Sequence, residues 1–555
     1  MKRDWKKEAV VYQIYPKSFN DSNGDGIGDL QGIIEKIPYL QSLGVDAIWL
    51  SPVYESPMAD QGYDISNYRA IHPDYGTMDD MKLLIKKLHD VGIKLIMDLV
   101  VNHTSKEHPW FIESKDPNSE KHAFYTWRKG RKNNTLPPNN WTAHFTGNAW
   151  TYDETVDMWY LHVFTPDQPD LNWENENVVQ AVKDIIKFWG DLGVDGFRLD
   201  AINFLSKTEG LPNGRPRFML RGLEHFANGP RLHEHLQTLT KDAFKPYGMF
   251  IVGETNFTTP EEALLYVRED REEFDMCIHF EHMLIDSYTN KWLIRKFKPK
   301  RLKRVLDHWQ QIHYPDGWNA LYFENHDQPR SLNRFGDAGE YREKSAKMLA
   351  TYLFFQRGTP FIYQGQEIGM TNPQFDTIES YRDVETLNVY KKMRKTFKLS
   401  HEKAMNRIKY MSRDNSRTPM QWDDSKHAGF SRGRPWIDVN ANYPDVNAKN
   451  QQNRSDSVFA FYQALIQLRK KHPVIVYGDY KPVAQDDKSL AAYTRSFEGE
   501  TLYVIVNFSD KAQPMVYPHN LTARDVECLL DNMLEGAAPN HETLEAYGAR
   551  VYRLK

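Results

Sequence analysis

The sequence predicts an α/β protein: a (β/α)8 TIM barrel with an irregular domain inserted after strand 3 and a C-terminal antiparallel β domain. Three observations lead there. Eight short apolar runs bounded by turn residues alternate with stretches of helical periodicity. A tract rich in Trp, Asn, Pro and His breaks that rhythm after the third run. The last stretch then switches to strand-like segments with no helices between them.

The elements follow in order. Residues 10–15 form a buried strand closed by Pro16, 46–52 a second and 93–100 a third. Between the second and third, Met78, Met81, Leu84, Ile85, Leu88 and Val91 recur every three or four residues and mark one helix face. Residues 105–174 show no clear helix face and are too long for a plain loop, so they read as the inserted domain. A helix with Val178, Val182, Ile185 or Ile186, and Trp189 on one side then leads into a strand at 195–199. Further strands are expected at 249–253, 274–280, 320–324 and 361–364. The barrel thus spans 1–104 and 175–477, with a second insertion of about 370–455 after strand 8. Residues 478–555 are the C-terminal β domain.

Composition excludes several classes. With 71 Lys and Arg against 75 Asp and Glu, the chain of 555 residues lacks the basic excess of a nucleic-acid binder. Cys277 and Cys528 are the only cysteines, too few for a disulfide framework or a cysteine zinc cage. No run approaches the ~20 apolar residues that cross a bilayer, and the charged start is not followed by a signal-peptide stretch. The expectation is a soluble cytoplasmic protein, a monomer or homodimer, with no nucleic-acid or membrane partner.

In such a barrel, reactive groups sit at the C-terminal ends of the strands. Those ends carry Asp98, Asp200, Glu254 and Asp327, with Arg198, His103 and His326 close by. One acidic residue closing a strand is commonly a helix N-cap; four converging on one mouth are not explained that way. Several carboxylates without a metal-binding His or Cys set suit glycoside hydrolysis, in which one acid protonates the leaving oxygen and another captures the sugar cation.

The strings that carry these residues are Asp98-Leu99-Val100-Val101-Asn102-His103, Gly196-Phe197-Arg198-Leu199-Asp200, Val252-Gly253-Glu254 and Phe323-Glu324-Asn325-His326-Asp327. They resemble the four signature regions of the α-amylase superfamily, glycoside hydrolase family 13. Gln168-Pro169-Asp170-Leu171-Asn172 resembles a fifth region of the kind seen in its oligo-1,6-glucosidase and α-glucosidase branch. The opening Val11-Tyr12-Gln13-Ile14-Tyr15-Pro16 and the late string from Arg413 to Trp422 resemble that branch too, so the likeness spans essentially the whole chain.

The resemblance implies roles. Asp200 would be the nucleophile, Glu254 the acid and then the base, and Asp327 the carboxylate that grips the 2- and 3-hydroxyls. Arg198, two residues before Asp200 and on the same strand face, would keep the nucleophile ionised. Glu254 would need a raised pKa to enter the cycle protonated. His103 and His326 would donate to the bound glucose, Tyr63 would be its stacking platform, and Asp60 with Arg413 would wall off the outermost hydroxyls. Such a dead end implies exo action.

A further loop, Asp21-Ser22-Asn23-Gly24-Asp25-Gly26-Ile27-Gly28-Asp29, spaces oxygen donors at Asp21, Asn23, Asp25, the Ile27 carbonyl and Asp29, with Gly at the sixth position. Its twelfth residue is Gly32, so it is no EF-hand. The resemblance supports a structural Ca²⁺ here, with Mg²⁺ as the alternative; a metal-free Asx turn is the other outcome.

Specificity rests on one position. In this branch, Val after the nucleophile goes with α-1,6 bonds and Ala with acceptance of α-1,4 bonds; the chain has Ala201. The expected substrates are therefore maltose and short maltooligosaccharides, isomaltooligosaccharides being open, with transglucosylation as a side reaction. One or two methyl groups decide this, worth about 1–3 kcal/mol. The alternatives are an oligo-1,6-glucosidase, a trehalose-6-phosphate hydrolase and a non-catalytic sugar-binding scaffold. A sucrose isomerase is disfavoured, because residues 281–286, Glu-His-Met-Leu-Ile-Asp, lack the Arg-Xaa-Asp-Arg-Xaa loop of that activity.

Overall fold

Eight parallel strands form one sheet: β1 Val11–Ile14, β2 Ala47–Leu50, β3 Lys94–Val100, β4 Gly196–Asp200, β5 Phe250–Glu254, β6 Met276–Ile278, β7 Ala320–Leu321 and β8 Thr359–Tyr363. The computed structural model describes residues 4–145, 147–217, 220–288, 290–518, 526–533 and 542–554. The strand order is β6-β5-β4-β3-β2-β1-β8-β7. A parallel bridge between Cys277 and Asn319 joins β6 to the approach to β7 and closes the barrel. Strands covered on both faces must be apolar throughout, and every residue of β1, β2, β4, β5 and β8 is buried.

The helices are those the periodicity predicts. Met78–Asp90 starts from a capping box between Thr77 and Asp80 and buries Met81, Leu84, Ile85 and Leu88 against the sheet, each adding about 1.5–3 kcal/mol of transfer free energy. Glu176–Asp191 buries Val178, Val182, Ile185, Ile186 and Trp189. Strand ends shift: the seventh strand stops at Leu321 instead of 324, and the eighth begins at Thr359. Past Leu321 the chain leaves the sheet and turns towards the barrel mouth, which frees residues 324–327 for other contacts.

The tract of 105–174 is more regular than expected. It holds a short helix, Pro109–Ser114, and a three-stranded antiparallel sheet of Trp127–Arg128, Met158–Leu161 and Trp150–Asp153. Elements of two to six residues are too short to show a period in sequence. Phe111, Tyr125, Trp127 and Tyr160 join the same apolar cluster as the barrel. The second insertion has its own small core, built on the helices Val384–Lys395 and His401–Met411 from Val389, Met393, Met405 and Ile408. It matters because it brings Asp383 and Arg413 to the barrel mouth.

Near the C-terminus β9 Lys481–Val483, β10 Leu490–Phe497, β11 Glu500–Asn507, β12 Val526–Asp531 and β13 Ala549–Leu554 form an antiparallel sheet in the order β9-β10-β11-β13-β12. The buried Lys303 Nζ ties it to the barrel by donating to the carbonyls of Ala484, Asp487 and Leu490 at 2.9, 2.6 and 2.7 Å. Among the described residues no helix is long and apolar enough to cross a membrane.

Candidate active site

The chemistry starts from the period of a strand. Arg198 and Asp200 are two residues apart on β4 and share a face. The register that sets Val252 against Arg198 and Gly253 against Leu199 brings the end of β5, Glu254, beside Asp200. Gly253, on the opposite face, makes room for the Phe274 ring, from which a Cβ there would lie 2.3 Å. The Arg198 guanidinium, 1 % exposed, becomes the hub. Its Nη1 reaches Asp98 Oδ1 and Asp200 Oδ1, each at 2.8 Å, and its Nη2 meets Glu254.

Asp98 departs from the sequence reading. It lies inside β3, fully buried, and accepts from Trp49, Tyr63 and Arg198. Burial raises its pKa to about 7 against the pull of Arg198. It is Arg198's counter-charge beneath the site and does not line the cavity. Burial also pushes Asp200 above the ordinary carboxylate range, with Arg198 pulling it back. Arg198 therefore favours the ionised nucleophile without outweighing burial. Glu254 has Arg198 and the Asn256 side-chain amide, 3.0 Å away, as neighbours.

Asp327 stands in the loop after β7. Arg413 Nη1 and Arg417 Nη2 both donate to its Oδ1, at 3.1 and 2.7 Å. Burial alone would raise its pKa; His326, Arg413 and Arg417 around it hold it well below the usual range. Asp60 and Arg413 meet at 3.3 Å and are 5 % and 6 % exposed, so the pair is no solvated surface contact. Burial lifts Asp60 to about 7 in spite of Arg413 and Arg417.

A cavity of about 690 Å³ joins these groups, within the size range of small-molecule sites. Asp60, Tyr63, His103, Asp200, Ala201, Glu254, Asp327 and Arg413 all line it. Arg198 and His326 lie one layer behind. The His326 ring is stacked on Tyr63 at 5.3 Å and held by Gln13 at 2.8 Å and the Tyr63 hydroxyl at 2.7 Å. Burial lowers His103 to about 4, which leaves it neutral near pH 7.

Residues that sequence reasoning missed complete the lining: His144, Phe164, Gln168, Asn256, Phe257, Lys291 and Glu385. Gln168 lay in a motif already singled out, and Asn256 follows Glu254 by two. Glu385 lies in the first turn of the helix Val384–Lys395, and the others come from loops with no spacing signal. Ala201 takes a left-handed backbone, φ 42° and ψ 36°, and packs with Phe204 and Phe226. A β-branched residue is strained there, so the small side chain has a backbone reason as well as a steric one.

The loop of Asp21 to Asp29 lies against residues 430–436. Asp21 Oδ2 accepts from Ser431 at 2.5 Å and from the Gly26 amide at 2.8 Å, while the Asn23 and Asp25 side chains close Asx turns onto Asp25 N and Ile27 N. A Cβ at Gly26 would lie 2.0 Å from the Arg434 carbonyl. Among the described residues no group of three or more His, Cys, Asp or Glu side chains could hold a metal. A cation here would also need the Asn23 amide oxygen and the Ile27 carbonyl. The donor set is all hard oxygen and fits Ca²⁺ in chemistry.

Comparison with known proteins adds an independent line. The model of the α-amylase catalytic domain matches residues 13–478. The oligo-1,6-glucosidase of Parageobacillus thermoglucosidasius is 50 % identical over the whole of both chains. The crystal structure of the Bacillus licheniformis trehalose-6-phosphate hydrolase superposes with a TM-score of 0.94 at 44 % identity, and that of isomaltulose synthase from Klebsiella sp. LX3 with 0.96 at 39 % identity; each covers both chains completely.

Proposed function

The chain belongs to the α-amylase family, glycoside hydrolase family 13, and is a glycoside hydrolase; from that premise we propose an exo-acting, retaining α-glucosidase that releases glucose from the non-reducing end of short α-glucosides. The observation that carries this is the Arg198 guanidinium shared by Asp200 and Glu254 just behind a cavity that the buried Asp60–Arg413 pair also lines, the pair supporting a closed end. Two carboxyl groups close enough to share one guanidinium support the short separation of retaining enzymes, about 5–5.5 Å, over the wider gap that admits an inverting water.

In this reading Asp200 attacks the anomeric carbon, the glycosidic bond breaks, and Glu254 gives its proton to the departing oxygen. Glu254, now a carboxylate, takes a proton from water, whose oxygen displaces Asp200 and returns the anomer to its starting configuration. A sugar hydroxyl in place of that water gives transglucosylation. Asp327 grips the ring hydroxyls, Tyr63 supports the ring, and His103, with His326 behind Tyr63, completes the glucose pocket.

The charge balance of the cavity as a whole supports a neutral sugar over a phosphorylated one. The lining carries seven carboxylates, Asp60, Asp200, Glu254, Glu261, Glu281, Asp327 and Glu385, against three Lys or Arg, namely Arg217, Lys291 and Arg413. Each of those cations already faces a carboxylate: Arg217 with Glu224 at 3.8 Å, Lys291 with Glu385 at 2.5 Å, Arg413 with Asp60. A phosphate would compete with these carboxylates, least at Arg217, whose side chain is half exposed and 3.8 Å from Glu224. Ala201 supports acceptance of α-1,4 bonds in maltose and maltooligosaccharides. The likeness to a protein named oligo-1,6-glucosidase supports α-1,6 bonds as a second reading. Rates on maltose, isomaltose, sucrose, trehalose and trehalose-6-phosphate test this. Turnover of maltose and isomaltose is expected with trehalose-6-phosphate at least tenfold slower; the phosphorylated sugar as best substrate would overturn it.

Asp21, Asn23, Asp25, the Ile27 carbonyl and Asp29, none of which lines the cavity, would hold a structural Ca²⁺ that braces the loop against residues 430–436. A ligand present at 100 times its Kd stabilises the folded state by about 2.7 kcal/mol. The expected result is a melting temperature that falls by a few degrees in chelator and recovers with Ca²⁺. An unchanged transition would leave the loop a metal-free Asx turn.

A further inference from the structure

The wall residue Arg413 is held from behind. Asp383 does not line the cavity, yet it is Arg413's nearest partner: its Oδ1 accepts from Nε at 2.9 Å and from Nη2 at 2.6 Å. The Arg413 bonds to Asp327 and Asp60, at 3.1 and 3.3 Å, are longer. The other Asp383 oxygen is fixed in turn. It accepts from the Thr386 hydroxyl at 2.6 Å and amide at 2.9 Å, capping the helix Val384–Lys395. Its own backbone N–H donates to Asp414 at 2.8 Å. Asp383 is 1 % exposed, so these are unscreened charge-assisted bonds.

We propose that Asp383 is a positioning residue of the glucose pocket, which draws the Arg413 guanidinium away from Asp327 and sets how Arg413 and Asp60, paired at 3.3 Å, present their polar atoms to the sugar's outer hydroxyls. The reason is competition for one cation. Asp327 Oδ1 already receives Arg417, and Arg413 is shared among Asp383 and three cavity-lining carboxylates, Asp60, Asp327 and, at 3.9 Å, Glu385. Without the Asp383 charge, the shared guanidinium moves onto Asp327 and Asp60 and occupies the acceptor sites that sugar hydroxyls would use. The insertion after β8 thereby sets how tightly the terminal glucose is held. The inference rests on the α-glucosidase reading.

The test is steady-state kinetics of Asp383→Asn, and of Thr386→Val should the first variant fail to fold. Loss of such an outer partner costs about 10–100-fold where it orients a ligating group. The expected result for Asp383→Asn is KM up about tenfold or more with a smaller fall in kcat. The change should be equal for maltose, isomaltose and 4-nitrophenyl α-glucoside, because the wall touches the transferred glucose and not the leaving group. The inhibition constant for glucose should rise in step. Thr386→Val, which removes the hydroxyl donor from the other oxygen but keeps the amide donor and the charge, should raise KM severalfold. A variant that only loosens the fold lowers kcat through the active fraction and leaves KM alone; that pattern, or unchanged KM in both variants, would overturn the proposal. A parent protein that turns over no α-glucoside ends the functional reading and this inference with it. An active parent with indifferent variants ends the inference alone.

Discussion

Asp200→Asn is expected to keep the fold and lose turnover by on the order of 10⁶-fold, the scale seen when a catalytic nucleophile is removed. The amide has the carboxylate's shape but lacks the charge to form a bond to the anomeric carbon. Folding should survive, because Arg198 keeps Asp98 and Glu254 as counter-charges. Two measurements check it: the rate on 4-nitrophenyl α-glucoside, and the intact mass of parent and variant after exposure to a slowly turned-over substrate. The parent should gain one glucosyl unit at Asp200 and the variant none. Retained activity, or an adduct on another side chain, would move the attack elsewhere.

The second large effect concerns Glu254→Gln, where the leaving group decides the outcome. A positioned acid is worth about 10²–10⁴-fold. Sugars are poor leaving groups, so kcat/KM for maltose and isomaltose should fall by that amount. Nitrophenolate leaves without help, so kcat/KM for its glucoside, which reports bond cleavage, should fall far less. Its kcat should still drop, since the same residue activates the water, and a burst of nitrophenolate ahead of a slow steady state is expected. Equal losses in kcat/KM on both substrates would remove Glu254 from the role of acid. As the acid, Glu254 has to be protonated when the disaccharide binds. Weaker disaccharide turnover at alkaline pH than at neutral pH follows from the same need.

Much of the site was legible because strand spacing is short-range. Arg198 and Asp200 had to share a face once β4 was recognised, and the apolar runs of β1 to β5 betrayed strands covered on both sides. Asp98 shows the limit of that reasoning. It is in the right strand, but β3 continues to Val100 and leaves it beneath the mouth as the Arg198 counter-charge. Position along a strand decides between catalysis and support, and a difference of two residues is enough.

The sequence by itself determined the parallel barrel, the order of its elements and the carboxylate-bearing strand ends, since these follow from periodicities of two and 3.6 residues within one segment. Only the tertiary structure decided which charge faces which. Arg413 is 353 residues from Asp60 and 86 from Asp327, yet it divides one guanidinium among them and Asp383. Burial also outweighs Arg198 at Asp200, while cations outweigh burial at Asp327. Electrostatic balance depends on distance and solvent exclusion across chain segments far apart in sequence, and neither quantity exists until the chain has folded.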